Sequence, residues 1–199
     1  MDFKSIAEKI IYLKNADLEL RDRLIKTGML GAGYNEEMKK RHTKNAEILD
    51  KIIDHIGYPT AEKVGNKASE AAWLVIQHSI SMPDFMRKCL KLLENSIPKT
   101  NAEKISMAYL ADRIAVFEGR PQLYGTQFDW DENGQLSPNP YDDIHKVNER
   151  RTDLGLNLLE DQTIIIRNHA QKENRHPPAD LEERNKEMEA WKKSAGWIS

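Results

Sequence analysis

A chain of 199 residues, 39% apolar and 31% charged, is long enough for one ordinary domain with a real core and is not disordered in composition. Its 30 basic and 32 acidic side chains leave a formal net charge of −2, which argues against a nucleic-acid binder and against a polybasic membrane anchor. No apolar run approaches the roughly 20 residues that span a bilayer, the opening "MDFKSIAEKIIYLK" is too charged for a signal peptide, and the single cysteine, Cys89, has no internal partner; a cytoplasmic protein is expected.

Helical periodicity dominates the chain. Phe3, Ile6, Ile10, Leu13, Leu20 and Leu24 recur at heptad spacing and predict a first helix that the glycines from Gly28 to Gly33 end. A second helix is expected from about Asn35 to Ile56, stopped by "GYPT". The third, about Asn66 to Ser79, is apolar almost all round and should be the central, buried one. "MPDFMRKCLKLL" starts a fourth behind Pro83, and "NAEKISMAYLADRIAVFEG" reads as a fifth with Asn101 as its cap. In "QLYGTQFDWDENGQLSP" the alternation of Tyr124, Thr126, Phe128 and Trp130 ahead of a "DENG" turn predicts a small hairpin or extended excursion near residues 122–138. A sixth helix carries Ile144, Val147 and Leu154. Two more follow, separated by "HPP", the last with a stripe of Leu181, Met188, Trp191 and Ala195 suited to docking on the body or on a partner. The fold class is therefore all-α, a multi-helix bundle with a minor β excursion. The domain reading is a helical domain over residues 1–156 and a two-helix extension over 157–199.

Projecting each helix at about 100° per residue shows polar side chains among apolar ones. Asp17 occupies a heptad position beside Ile10 and Leu24, with Arg21 on nearly the same face. Asn45 lies between Ile52 and Ile56, and His42 between Leu49 and Ile53. An antiparallel hairpin of the first two helices, turning near Gly31, would bring these residues to one level of the bundle. His78 projects between Ala71 and Leu74, Gln77 shares a narrow polar side with Glu70, Asp112 falls among Ala108, Ala115 and Val116, and Arg113 between Tyr109 and Phe117. Arg151 sits in the middle of Ile144, Val147 and Leu154, with Arg150 at the border.

A lone inward histidine is ordinarily a hydrogen-bonded core residue. Two acids and three arginines from several helices, however, would each cost several kcal/mol to bury alone, so they should converge and pair. The result is either a polar cavity that binds something or a structural salt-bridge network. Asp142, His145 and Glu149 share a helix face as metal ligands do, but a solvated surface is the better reading, and no metal or other cofactor is assigned. No P-loop, dinucleotide fingerprint, HExxH or GxSxG is present. "GMLGAG" lacks the preceding strand of a phosphate cradle and reads as an inter-helix loop.

The runs "GYPTAEKVG", "AAWLVIQHS", "YLADR", "QLYGTQF" and "VNERRTDLGL" resemble an uncharacterised family of bacterial domains of unknown function, over about Asp17 to Leu156. The pattern is matched at Asn45, Gly57, Pro59, Gly65, Trp73, Gln77, His78, Asp112, Arg113, Gln122, Tyr124 to Gln127, Arg150 and Arg151. Asp17 and Arg21 fit its opening only in part, since Leu18 replaces a glutamine. An acid is usual where this chain has His42, Ile80 and Asn148, and a glutamine where it has Met86. The resemblance implies a helical domain with a shared polar site, and it brings no reaction.

Two functions follow as expectations. In the first, a pocket in the bundle binds a small anionic or carbonyl-bearing ligand, with or without acid–base hydrolytic chemistry. His78 would then be the acid–base group, Asp112 its partner, and Arg113, Arg150 and Arg151 the clamp. Gln77, Tyr124 and Gln127 would supply hydrogen bonds, with Asp17, Arg21, His42 and Asn45 lining the same site. In the second, the polar core is structural, and the chain is an interaction module that meets a protein partner, or itself, through its C-terminal helices.

Overall fold

The computed structural model describes residues 2–30, 34–95 and 100–199. The chain divides into two compact units, Met1–Ser96 and Ile97–Ser199. Nine helices and one two-stranded hairpin stand among the described residues, the all-α architecture with a minor β excursion that the periodicity predicts. None of these helices is long and apolar enough to cross a membrane.

The first unit consists of α1 (Phe3–Lys26), α2 (Glu36–Ile56), α3 (Ala61–Val64), α4 (Asn66–His78) and α5 (Pro83–Asn95). Asp2 caps α1 by accepting the Ser5 N–H, and the Asn35 side chain caps α2 by accepting from Glu37 and Met38. The loop expected to turn near Gly31 lies in part outside the described residues. On α1, the predicted heptad positions from Ile6 to Leu24 are buried, and Phe3 is exposed. The small side chains Ala68, Ala71 and Ala72, with Val75 and Ile76, line α4 and are all buried. They let α1, α2 and α5 approach closely, so α4 is the central helix, as its all-round apolar character predicts. The helix α3, one turn long, follows the "GYPT" stop and is not foreshadowed by periodicity.

The second unit consists of α6 (Asn101–Phe117), β1 (Phe128–Trp130), β2 (Leu136–Pro138), α7 (Ile144–Asp153), α8 (Leu159–Lys172) and α9 (Leu181–Ala195). The cap of α6 is Thr100, not Asn101. Thr100 and Glu103 form a reciprocal capping box, which frees the Asn101 amide to donate to the Leu154 carbonyl at 3.0 Å. The two strands pair antiparallel with Asp129 opposite Ser137. The Asp131 carboxylate closes their turn, accepting from the Asn133 and Gln135 N–H groups and from the Ser137 hydroxyl. Ahead of β1, residues 122–127 are irregular rather than strand. Of the α9 stripe, Trp191 meets Phe117 at the end of α6 edge-on at 5.6 Å between ring centroids, and Trp197, beyond α9, lies 4.9 Å from the same ring.

Gly125 (φ +61°) and Gly119 (φ +69°) both occupy the left-handed region and separate backbone strain from packing. A Cβ at Gly119 would meet nothing, whereas one at Gly125 would lie 2.8 Å from the Cδ1 of buried Leu159. Gly119→Ala is therefore expected to cost about 1–2 kcal/mol from strain alone. Gly125→Ala should cost about 2–4 kcal/mol, with overpacking added. Denaturant unfolding of the two variants checks the difference.

Candidate functional site

Asp17 lies on the buried face of α1 and is fully enclosed, at 0% exposure. Its two oxygens face two imidazoles from different helices. His42 Nε2, from α2, lies 3.2 Å from Oδ1, and His78 Nδ1, at the end of α4, lies 2.7 Å from Oδ2. The two rings are 5.1 Å apart between centroids. An ionised carboxylate only accepts, so both facing nitrogens carry the hydrogen. That fixes the tautomers: the His42 lone pair is at Nδ1, where the Tyr34 hydroxyl donates at 2.7 Å. Tyr34 in turn bonds Ser81, whose hydroxyl lies 3.4 Å from that of Thr43. Asn45 completes this level by donating from Nδ2 to the Leu13 carbonyl at 2.9 Å.

The contacts between α1 and α2 run antiparallel: Leu13 meets Asn45, Asp17 meets His42, and Arg23 meets Glu37. The hairpin expected from sequence thus places Asp17, His42 and Asn45 together. Burial raises the Asp17 pKa, but the hydrogen bonds that His42 and His78 donate outweigh it and hold the carboxyl well below its ordinary value of 3.8. The Tyr34 hydroxyl is pushed up to about 12 by burial and by the charge of Asp17. His42 is buried, whereas the His78 side chain is 30% exposed. Its Nε2 makes no hydrogen bond among the described residues, so the cluster reaches solvent through that atom.

The second unit spends its polar groups differently. Asp112, also at 0% exposure, accepts four hydrogen bonds, from the N–H groups of Leu123, Tyr124 and Thr126 and from the Thr126 hydroxyl, at 2.8–3.1 Å. Burial pushes its pKa up while these donors oppose the shift. Gln122 donates to the Gln127 and Asn139 carbonyls and accepts the Gln127 N–H. Arg151 donates to the Tyr124 carbonyl at 2.8 Å and grips Asn157 through Nε and Nη2. Arg150 clasps Asp142 with both terminal nitrogens, and Arg113 Nε donates to the Gln127 side chain. The loop "QLYGTQ" is thus held from three sides.

Some expected roles move. The carboxylate bonded to His78 is Asp17 rather than Asp112, both of whose oxygens are taken by the loop. Arg21 is exposed: one turn beyond Asp17, its long side chain carries the charge out to water. Gln77 is buried at the end of α4, next to His78. Tyr34 and Ser81 were missed. Both sit in short connections where helical projection gives no angle, though Tyr34 immediately precedes the α2 cap.

Residues 5–172 match the model of a family of unknown function (DUF6624), and the chain belongs to it. The match runs through α8, bears out the resemblance drawn from the motifs, and leaves α9 outside. No curated protein and no solved structure matches the chain.

Asp112→Ala strands three buried or half-buried backbone donors and should destabilise by about 3–5 kcal/mol in urea unfolding. The sign of the pH effect at Asp17 follows from its depressed pKa: its stabilisation is complete above the unfolded value of 3.8 and declines as pH falls toward the folded one. The stability difference between the natural chain and Asp17→Asn should therefore shrink as pH falls below about 4, measured by thermal melts from about pH 5 downward.

Proposed function

We propose that this member of a family of unknown function is an acid–base enzyme for a small carbonyl-bearing molecule, with Asp17, His42 and His78 as its reacting centre. The observation that carries the reading is the 2.7 Å contact between His78 Nδ1 and Asp17 Oδ2 on a ring 30% exposed. Because Asp17 accepts a hydrogen bond from Nδ1–H, a neutral His78 has its lone pair at Nε2, at the solvent side. That is the tautomer and orientation a general base needs. In ester hydrolysis, Nε2 would accept a proton from water as the water oxygen bonds to the carbonyl carbon. The imidazolium so formed is stabilised by Asp17, and its proton then passes to the leaving oxygen as the ester C–O bond breaks, giving acid and alcohol. His42, held by Tyr34, fixes the other oxygen of Asp17 so that the carboxylate cannot rotate away.

Of the two ligand classes left open by sequence, the carbonyl-bearing one fits better than the anionic one. Asp17 sets a negative charge at the centre. The guanidinium groups of Arg150 and Arg151 already bond Asp142, Asn157 and loop carbonyls, bonds that an anion would have to displace. The buried, free Cys89, whose thiol is pushed up by burial and kept inert, fits a reducing, cytoplasmic setting. A second reading, an interaction module, draws on Leu158, Ile164 and Ile165, which are 45%, 57% and 45% exposed on and beside α8.

Hydrolysis of a panel of short-chain p-nitrophenyl esters by the full chain separates the two. His78→Ala should lower kcat/KM by about 10²–10⁴-fold while costing about 1–3 kcal/mol of stability and leaving the circular dichroism spectrum helical. Turnover unchanged in His78→Ala, or no turnover of any ester, would overturn the catalytic reading. Loss of self-association or partner binding in Ile164→Asp would favour the second.

A further inference from the structure

The same three side chains have a second property, and we infer that they form a binding site for one divalent transition-metal ion of the zinc, cobalt, iron or manganese class. The inference rests on the reading that this cluster is the reacting centre, and it changes which group there activates water. Asp17, His42 and His78 each offer one ligand atom, all within 4.8 Å of one another, and the nitrogens that face Asp17 are Nε2 of His42 and Nδ1 of His78. Two ligand atoms on a metal with bonds of about 2.0–2.2 Å stand roughly 3–3.5 Å apart; His42 Nε2 is 3.2 Å from Asp17 Oδ1, and His78 Nδ1, 2.7 Å from Oδ2, would have to open slightly to admit the ion. Two imidazole nitrogens and one carboxylate oxygen are a donor set for these metals. Calcium and magnesium, which take oxygen ligands, do not fit it. Three ligands also leave a position open for water, and half-buried His78 marks the side from which water and a cation enter.

The surroundings match what a metal-bound histidine needs. A metal on His42 Nε2 requires that ring's proton at Nδ1, and the Tyr34 oxygen stands 2.7 Å from Nδ1, ready to accept it. Ser81, bonded to Tyr34, lets the phenol reverse from donor to acceptor without losing a partner. Proton accounting closes. With both rings neutral, each donates one hydrogen bond to Asp17 in the metal-free cluster. On binding, His42 shifts its proton to Nδ1 and His78 shifts its own to Nε2, two lone pairs turn to the cation, and no proton leaves the protein. The three donors come from three helices packed on one another, so the triangle is held by the core of the unit rather than by a loop. With a metal held by these three residues, His78 Nε2 would carry the shifted proton and could not serve as the base, and the metal would supply the activation of water in its place.

Titration of the chelator-treated full chain with cobalt chloride tests this. One equivalent should bind, with visible absorption of four- or five-coordinate cobalt, and zinc chloride should displace it. His42→Gln, His78→Gln and Asp17→Asn should each remove the absorption. Tyr34→Phe should weaken binding about 10–100-fold, and His145→Gln and His169→Gln should leave it unchanged. Where a variant fails to fold, nitrogen NMR of the natural chain decides: zinc should move Nε2 of one histidine and Nδ1 of another. No stoichiometric binding, or binding indifferent to the three substitutions, overturns the metal site. Ester hydrolysis that depends on His78 but survives chelation would overturn it while leaving the acid–base reading intact. Metal binding at these residues without ester turnover would do the reverse.

Discussion

A carboxylate buried at the middle of a helix is the constraint around which the first unit is organised. Taking Asp17 out of water costs several kcal/mol even after relaxation, and nothing on α1 itself can offset that cost, since its neighbours on that face are Ile10, Leu13, Leu20 and Leu24. The partners must come from elsewhere in the chain, and they do so as directional donors rather than as a diffuse positive charge. One imidazole binds each oxygen, so the registers of α2 and α4 against α1 are fixed together. A slip of one residue in either helix would swing its histidine away by about 100° and leave the charge exposed to an apolar core. The polar cluster acts as a register pin for three helices at once.

The second unit solves the same problem by another route, and the contrast bears on function. Asp112 is as buried as Asp17, yet its donors are three backbone N–H groups and one hydroxyl from a single loop. Gln122 and Arg151 address the carbonyls of the same segment. Groups that are satisfied by backbone order a chain; they have little capacity left for a ligand. Asp17 is instead satisfied by two imidazoles, one of which is part-exposed and makes no hydrogen bond through its second nitrogen among the described residues. The difference lies in what surrounds each carboxylate rather than in its degree of burial. The proposed chemistry therefore draws on Asp17, His42 and His78, while Asp112, Gln122 and Arg151 order a loop.

Much of this was legible in the sequence because helical periodicity is a strong signal in a chain with few competing patterns. The eight long helices were each anticipated, α4 as the central one included, and Asp17, His42 and Asn45 were read correctly to one level because an antiparallel hairpin relates positions equidistant from its turn. What projection cannot supply is reach. It gives an angle for Arg21 but not the length of side chain that carries its guanidinium outward. It ranks Asp112 and Asp17 equally as partners for His78, since both are inward acids. It says nothing of Tyr34, Ser81 or the loop at 122–127, whose positions are set by hydrogen bonds rather than by period. The cap of α6 shows the same limit in small: Thr100 and Asn101 are both good capping residues, and only the reciprocal bond with Glu103 decides between them.

A buried cluster of this kind is a poor device for stability. Ion pairs and polar triads in helical cores can generally be replaced by apolar side chains of similar volume at no cost, or with a gain. Register specificity is a benefit the cluster does deliver, but one asparagine such as Asn45, bonded to the Leu13 carbonyl in the same layer, already supplies that kind of pin between α1 and α2. Stability and register together therefore leave unexplained why the second oxygen of Asp17 is given to a histidine that stands at the surface. A side chain at that edge that served packing alone would be apolar. An imidazole anchored inward through one nitrogen, with no hydrogen bond to the other among the described residues, offers what the proposed proton transfer and the proposed metal coordination would each use and packing does not: an oriented ring and an open edge.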